Sequence, residues 1–289
     1  MLAIHSIADL RAWLAQARRP LGFVPTMGAL HAGHGRLIDE ARAASASVAV
    51  GVFVNPIQFN QSEDYARYPR PLAADLAFCA ARGVDVVFAP PVEEMYPHPQ
   101  AAFVEVGRVA DPMEGRFRPG HFRGVATVVL KLFHIVQPER AYFGEKDAQQ
   151  LAVIRCMVRD LNVPVEIVAV PTVREPDGLA LSSRNRHLSA EERAIAPRLY
   201  QALRAAERSI ATGETDAEAV KRAAFEVLAS EARMRVQYLE IADDAEMQPV
   251  DRVAGPVRVA AAVWVGGTRL IDNVRCEPPA TATSPYKNA

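Results

Sequence analysis

In the stretch VPTMGALHAGHGRLI, residues 24–38, His31 and His34 stand three apart, with Gly33 directly before the second. An apolar run, LGFVP, precedes them, and a helical pattern through Leu37, Ile38 and Ala41 follows. A strand-to-helix turn of this kind gathers free backbone N–H groups and the positive end of a helix dipole, and so attracts anions. Two imidazoles added there can donate to phosphate oxygens. Gly33 has no Cβ, which lets a flat group such as a nucleobase approach the backbone. Two other readings stay open on these residues alone. One histidine could cap the helix while the other is solvated. Alternatively the pair, at i and i+3, could share a metal, although no carboxylate or cysteine stands close by in sequence.

Positioning such a turn needs an element before it and one after it, and the chain supplies them in alternation. Ser6 with Asp9 gives a capping signal, and Ile7, Leu10, Trp13 and Leu14 keep helical spacing, so residues 6–18 read as a helix. SVAVGVFV, 47–54, is the continuous apolar run of a strand buried on both faces. A helix near 71–82, the strand VDVVFAP, a helix near 122–136, a short strand AYF, a helix near 147–160 and the strand VEIVAV follow. This alternation predicts an α/β domain, a Rossmann-like parallel sheet with helices on both faces. Ligands of such sheets bind at the carboxyl ends of the strands, where the histidines stand. Beyond residue 176 the texture changes to helical stretches at 189–211 and 215–231, then strands near 234–242, 257–265 and 268–273. The reading is a domain over 1–175, a smaller C-terminal α+β lid domain over 176–277 with PDG at 176–178 as the boundary, and a disordered tail over 278–289.

Composition narrows the partners. The chain has 289 residues, half of them hydrophobic, with a formal net charge of -1. That balance fits a folded globular protein and gives no electrostatic reason to expect nucleic acid. Cys79, Cys156 and Cys276 are widely separated and show no metal-ligand spacing, which fits a reducing cytoplasm. The start MLAIHSIADLRAW lacks the form of a signal peptide, and no segment reaches the roughly 18 apolar residues of a membrane span. A soluble, cytoplasmic protein with small-molecule partners is expected.

PTMGALHAGH resembles the HxGH signature of the nucleotidyltransferase superfamily, and it does not stand alone. FVNPIQF at 53–59, YPR at 68–70, RPGHFRGV at 118–125, FGEKDAQQL at 143–151 and LALSSRN at 179–185 resemble, in order, the blocks of the pantothenate synthetase (pantoate–β-alanine ligase) family. The likeness covers most of residues 1–275. It implies an ATP-dependent condensation of pantoate with β-alanine through a pantoyl adenylate, with Mg2+ accompanying ATP and no protein ligand for the metal named. It also implies a homodimer through the N-terminal domain.

The resemblance distributes roles along the chain. His34, His31, Lys146 and Arg184 become the catalytic candidates, because attack of a carboxylate on a phosphate needs positive charge and donors. The nucleotide would lie along Met27, Gly28, Ala29, Leu30, His31, Ala32, Gly33 and His34, then Gly144, Glu145, Lys146 and Asp147, with Val173 near the adenine. Leu181, Ser182, Ser183 and Arg184 would form the counterpart of a KMSKS loop on the outer phosphates. Lys146 is a mobile point charge suited to phosphate in transfer; its alternative is a surface lysine paired with Glu145 or Asp147. Gly144 is expected to permit a tight turn, and Asp147 to accept from ribose hydroxyls. Gln58 and Gln150 would read the carboxylate and hydroxyls of pantoate, since amides both donate and accept, with Asn55 and Pro56 shaping the turn before Gln58. RPGHFRGV, with Arg118, His121 and Arg123, reads either as a basic surface loop or as a mobile flap over the intermediate. Ala32, Gly35 and His187 depart from the family's habit. Gly35 is expected to loosen the helix start, and His187 to alter packing near SSRN.

Overall fold

The computed structural model describes residues 1–60 and 62–279. Most of the expected disordered tail, residues 280–289, lies outside the described residues. The chain divides into two compact units. The first comprises Met1–Pro176 with Ala180–Arg186, the second Asp177–Leu179 with the chain from His187 onward.

The first unit opens with strand β1, Leu2–Ile4, and helix α1, Ile7–Leu14, whose N-cap Ser6 accepts from the Asp9 N–H. Helix α1 stops short of the expected limit at residue 18, ahead of Pro20; β1 is too short to show a pattern in sequence. Then come β2, Leu21–Thr26, α2, Ala32–Ala44, and β3, Ser47–Val52. Two helices, α3, Ser62–Arg67, and α4, Leu72–Ala80, lead to β4, Val86–Phe88. Short helices α5, Val92–Met95, and α6, Glu114–Phe117, precede the long α7, His121–Val136. Strand β5, Arg140–Gly144, helix α8, Ala148–Asp160, and strand β6, Glu166–Val170, complete the unit's regular elements.

All six strands are parallel, in the order β1-β4-β3-β2-β5-β6. From β2 the chain winds outward through β3 and β4, then returns to add β5 on the other side. The order therefore reverses between β2 and β5, which is where open parallel sheets form a ligand crevice. Adjacent strand residues point to opposite faces. Val24 and Tyr142 join the cluster of Leu37, Ile38 and Ala41 from α2 and Cys79 from α4. Phe143, next to Tyr142, instead meets Phe133 of α7 edge-on. Helices thus cover both faces.

In the second unit the expected helix 189–211 is two helices, α9, Ala190–Ile195, and α10, Arg198–Ala211. Pro197 separates them, because proline lacks the N–H an interior helical residue needs. Helix α11, Ala217–Ala229, follows. The antiparallel sheet β7-β8-β9 comprises Met234–Asp243, Val257–Val265 and Thr268–Cys276. Leu199, Leu203, Ile210, Val220 and Leu228 from the helices pack with Ile241, Val259, Val263 and Leu270 from the sheet, a core of the unit's own.

Candidate active site

The two strands flanking the reversal end in the two segments singled out in sequence. Strand β2 runs into Met27–His31 and α2, and β5 into Glu145–Asp147 and α8. Thr26 Oγ1 donates to the Gly51 carbonyl at 2.7 Å and accepts from the Gly28 N–H at 3.1 Å. Gly28, at φ 80, and Ala29, at φ 52, then turn the chain through left-handed backbone. An alanine there is uncommon and must be held. Asp75, in the first turn of α4, holds it: Oδ2 accepts from Ala29 N–H at 2.9 Å and Oδ1 from Leu30 N–H at 2.8 Å. Asp75 is 2% exposed, so both carboxylate oxygens serve the loop. Asp75 belongs to none of the segments singled out in the sequence. The signal that marks it is a carboxylate on the same helical stripe as Leu72, Leu76 and Cys79.

Both histidines cap α2, which neither alternative in the sequence had allowed for. His31 is the N-cap, and its Nδ1 accepts from the Gly33 N–H at 3.1 Å. His34 Nδ1 accepts from the His31 N–H at 3.3 Å. A backbone N–H can only donate, so each Nδ1 is unprotonated and each neutral ring carries its proton on Nε2. Burial, with Lys146 and Arg186 nearby, lowers His31 to about 4; burial and His31 lower His34 to about 3. The ring centroids lie 4.1 Å apart. Capping is therefore compatible with ligand binding: the cap spends Nδ1 and leaves an oriented Nε2–H donor on each ring.

Gly33 also serves this arrangement directly. A Cβ there would lie 2.9 Å from His31 Cε1, so the space belongs to the His31 ring itself. Gly35 does not loosen α2, which runs unbroken; a Cβ on it would stand 2.8 Å from Arg82 Nε, so the glycine makes room for a guanidinium. Ala32 is exposed at the first helical position, and His187 is exposed at the end of the turn Ser183–His187. Gly144 has ordinary extended backbone, φ -77 and ψ 136, so the turn after β5 does not require a glycine.

Lys146 Nζ stands 3.6 Å from Asp147 Oδ1, with its side chain 19% exposed. Both residues act electrostatically on His31 and His34, so the structure brings these four together. Glu145 is half-buried beside them. The Leu181 N–H donates to the Val173 carbonyl at 2.9 Å, closing the loop that presents Ser182 and Ser183. Leu181 Cβ lies 4.0 Å from the position a Gly33 Cβ would take, which brings this loop to the first turn of α2. Arg184 is exposed, its N–H donating to Ser182 Oγ at 3.2 Å. The arginine whose charge bears on His31 is Arg186, which the sequence reading missed. Tyr68 of the YPR block is hydrogen-bonded to Ser183; burial raises its phenol and Arg184 opposes that.

Gln58 is buried where the chain turns after β3. Asn55 Nδ2 donates to Gln58 Oε1 at 3.0 Å, and Gln58 Nε2 lies 3.0 Å from Met27 Sδ. RPGHFRGV is neither flap nor surface loop at its centre, because His121 is buried at the start of α7. Arg118 Nη1 donates to His121 Nε2 at 3.0 Å, so Nδ1 carries the proton and donates to the Gln58 carbonyl at 2.9 Å. Burial and then Arg118 lower His121 to about 4, keeping it neutral. Gly124 seats the helix on this turn: a Cβ would come within 2.4 Å of the Ile57 carbonyl oxygen. Gln150 is half-buried in the first turn of α8. Its neighbour Gln149 is buried and structural, accepting from Glu114 N–H and donating to the Val109 and Pro112 carbonyls.

A model of the family described as pantoate-beta-alanine ligase matches residues 2–275. The chain belongs to the pantoate–β-alanine ligase family. A pantothenate synthetase of Chloroflexus aurantiacus is 54% identical over 277 residues, 94% of this chain and 97% of the relative. The solved pantothenate synthetase of Thermus thermophilus is 50% identical with a TM-score of 0.92, covering 96% of this chain and all of its own. The pantoate-β-alanine ligase of Francisella tularensis, solved with beta-gamma ATP and β-alanine, is 36% identical with a TM-score of 0.79, covering 95% and 97%. The six-stranded parallel sheet and the small antiparallel sheet are thus the ligase family's architecture.

Proposed function

We propose that this chain is an AMP-forming ligase that condenses pantoate with β-alanine to pantothenate. The observation that carries the reading is the pair of neutral, Nε2-protonated histidines beside Lys146 at the sheet reversal, in a chain matched to the ligase family over residues 2–275. In the first step a pantoate carboxylate oxygen bonds to the α-phosphorus of ATP, and the bond to pyrophosphate breaks. In the second, the free amine of β-alanine attacks the acyl carbon, AMP leaves with the acyl–oxygen electron pair, and the ammonium proton passes to solvent. The first step drives two anions together and moves charge onto phosphoryl oxygens. Fixed donors stabilise that charge without reorganising. His31 and His34 supply Nε2–H, Lys146 a cation, Ser182, Ser183 and Arg184 the contacts to the outer phosphates, and Asp147 an acceptor for ribose hydroxyls. Gln58 and Gln150 take pantoate.

Mg2+ belongs to this reading as a companion of ATP, held mainly by phosphate oxygens. Among the described residues no three His, Cys, Asp or Glu side chains converge as a metal site, and Asp75 is committed to backbone. The reading extends to two domains, 1–175 and 176–277, supported by two separate clusters of buried residues; a lid role for the second rests on the family resemblance alone. A homodimer through the N-terminal domain rests on the family resemblance alone, and light scattering tests it. A cytoplasmic location is supported by three free cysteines; no helix of the described residues is long and apolar enough to cross a membrane.

The test is ATP–pyrophosphate exchange with labelled pyrophosphate and Mg2+, with and without pantoate and without β-alanine. Exchange that requires pantoate is the expected result. Exchange without it, or none with ATP bound, overturns the reading.

A further inference from the structure

Gln58 presents a fixed polarity, and the residue that completes its support stands apart from every block that identified the family. The Gly124 carbonyl can only accept, so the atom of Asn55 facing it at 3.1 Å is the Nδ2 donor. The same Nδ2 donates to Gln58 at 3.0 Å, so the Gln58 atom it meets is Oε1. Gln58 therefore turns its NH2 toward Met27 and away from Asn55. Asn55 is 1% exposed, which leaves its Oδ1 in need of a donor. Tyr96 O–H supplies it at 2.7 Å. The ring of Tyr96 packs 6.1 Å from that of Phe53, and the Lys131 ammonium stands 4.7 Å from its centroid.

We propose that Tyr96 is a positioning residue that fixes the Asn55–Gln58 amide pair so that Gln58 offers N–H groups, and not its carbonyl, to the substrate. The inference rests on the reading that Gln58 holds pantoate. The substrate group it selects is then an acceptor, a carboxylate or a hydroxyl oxygen, and an ammonium in that place is rejected. Tyr96 touches no reacting atom; it acts through Asn55. Removing its hydroxyl leaves a buried acceptor unpaired and loosens the pair, while ATP binding is unaffected.

The experiment is a double-mutant cycle on the full-length enzyme, measuring KM for pantoate, KM for ATP and kcat. Tyr96→Phe keeps the contacts with Phe53 and Lys131, and circular dichroism checks its fold. It is expected to raise the pantoate KM about five- to tenfold, the worth of roughly one net hydrogen bond, with the ATP KM within twofold of wild type. Tyr96→His, which restores a ring N–H, is expected to lie between the two and reads the same effect should the phenylalanine variant fold poorly. In a Gln58→Ala background Tyr96→Phe should add less than twofold. A Tyr96→Phe shift that multiplies in full on Gln58→Ala, or no shift in pantoate KM in either Tyr96 variant, overturns the proposal. An unchanged pantoate KM in Gln58→Ala itself overturns the underlying reading instead.

Discussion

Replacing His34 by asparagine and, separately, by glutamine separates the cap its ring makes from the donor role proposed for its Nε2–H. Asparagine places an amide oxygen near the position of Nδ1, where it can still accept from the His31 N–H, now 3.3 Å from the ring. It reaches nothing at the position of Nε2. Glutamine does the reverse, carrying an amide N–H out to Nε2 while losing the short-range acceptor. A preorganised donor to the reacting phosphate contributes about 2.7–4 kcal/mol, or 10²–10³ in rate; a capping interaction contributes about 1 kcal/mol to stability. His34→Asn should therefore lower pantoate-dependent pyrophosphate exchange by at least ~10² while leaving the urea midpoint near wild type. His34→Gln should lose up to about 1 kcal/mol of stability and keep the faster exchange of the two. Exchange by His34→Asn at the wild-type rate would refute the assignment of Nε2–H to the phosphate and leave His34 as a cap alone.

The lowered histidines also fix the direction of a pH effect on stability. His31 and His121 near 4 and His34 near 3 stay neutral in the fold while an unfolded histidine binds a proton below about 6.5. The unfolded chain thus binds more protons between those limits, and stability should fall as pH drops from about 6.5 toward 4; a flat urea midpoint over that range would contradict it. By the same values, exchange should show no loss from imidazole protonation between pH 7.5 and about 5.5. Asp75→Asn turns an NH2 toward a backbone N–H and removes the charge from two buried hydrogen bonds, so denaturant melts should show a loss of about 2 kcal/mol or more, with a raised KM for ATP. Gly124→Ala presses a Cβ onto the Ile57 carbonyl, and should lose about 1–3 kcal/mol and raise the pantoate KM. Gly267→Ala, with open space around its Cβ, is the matched control and should be near neutral in the same melts.

The alternation of strands and helices was legible because a sheet buried on both faces writes itself as unbroken apolar runs such as SVAVGVFV. The strand order was not, because register and neighbours depend on contacts far apart in sequence. The histidine segment suggested an anion site, yet residue types could not show that both rings cap α2, since a histidine at a helix start is compatible with many bonds. Asp75 and Tyr96 escaped for a related reason: each acts on a loop 46 or 41 residues away in sequence. Gly35 and Gly144 differ from the expectation, and the His31 ring beside Gly33 was not foreseen, because absence of a side chain says that space is needed, not what fills it. The neighbour is an imidazole at Gly33 and a guanidinium at Gly35. Pro197 is a helix breaker visible inside the 189–211 stretch, and the helix divides there.

The neutrality of the two capping imidazoles has a bearing on what competes for the site. A pair of imidazolium rings would draw any small oxyanion present in solution and would hold pyrophosphate after turnover. Uncharged donors gain little from charge and depend on geometry, so they favour an anion presented at the right distance by a larger bound molecule over one that diffuses freely. The site should therefore tolerate high concentrations of inorganic phosphate or sulfate, with Lys146 and the arginines of the 184–186 turn carrying whatever inhibition by salt remains.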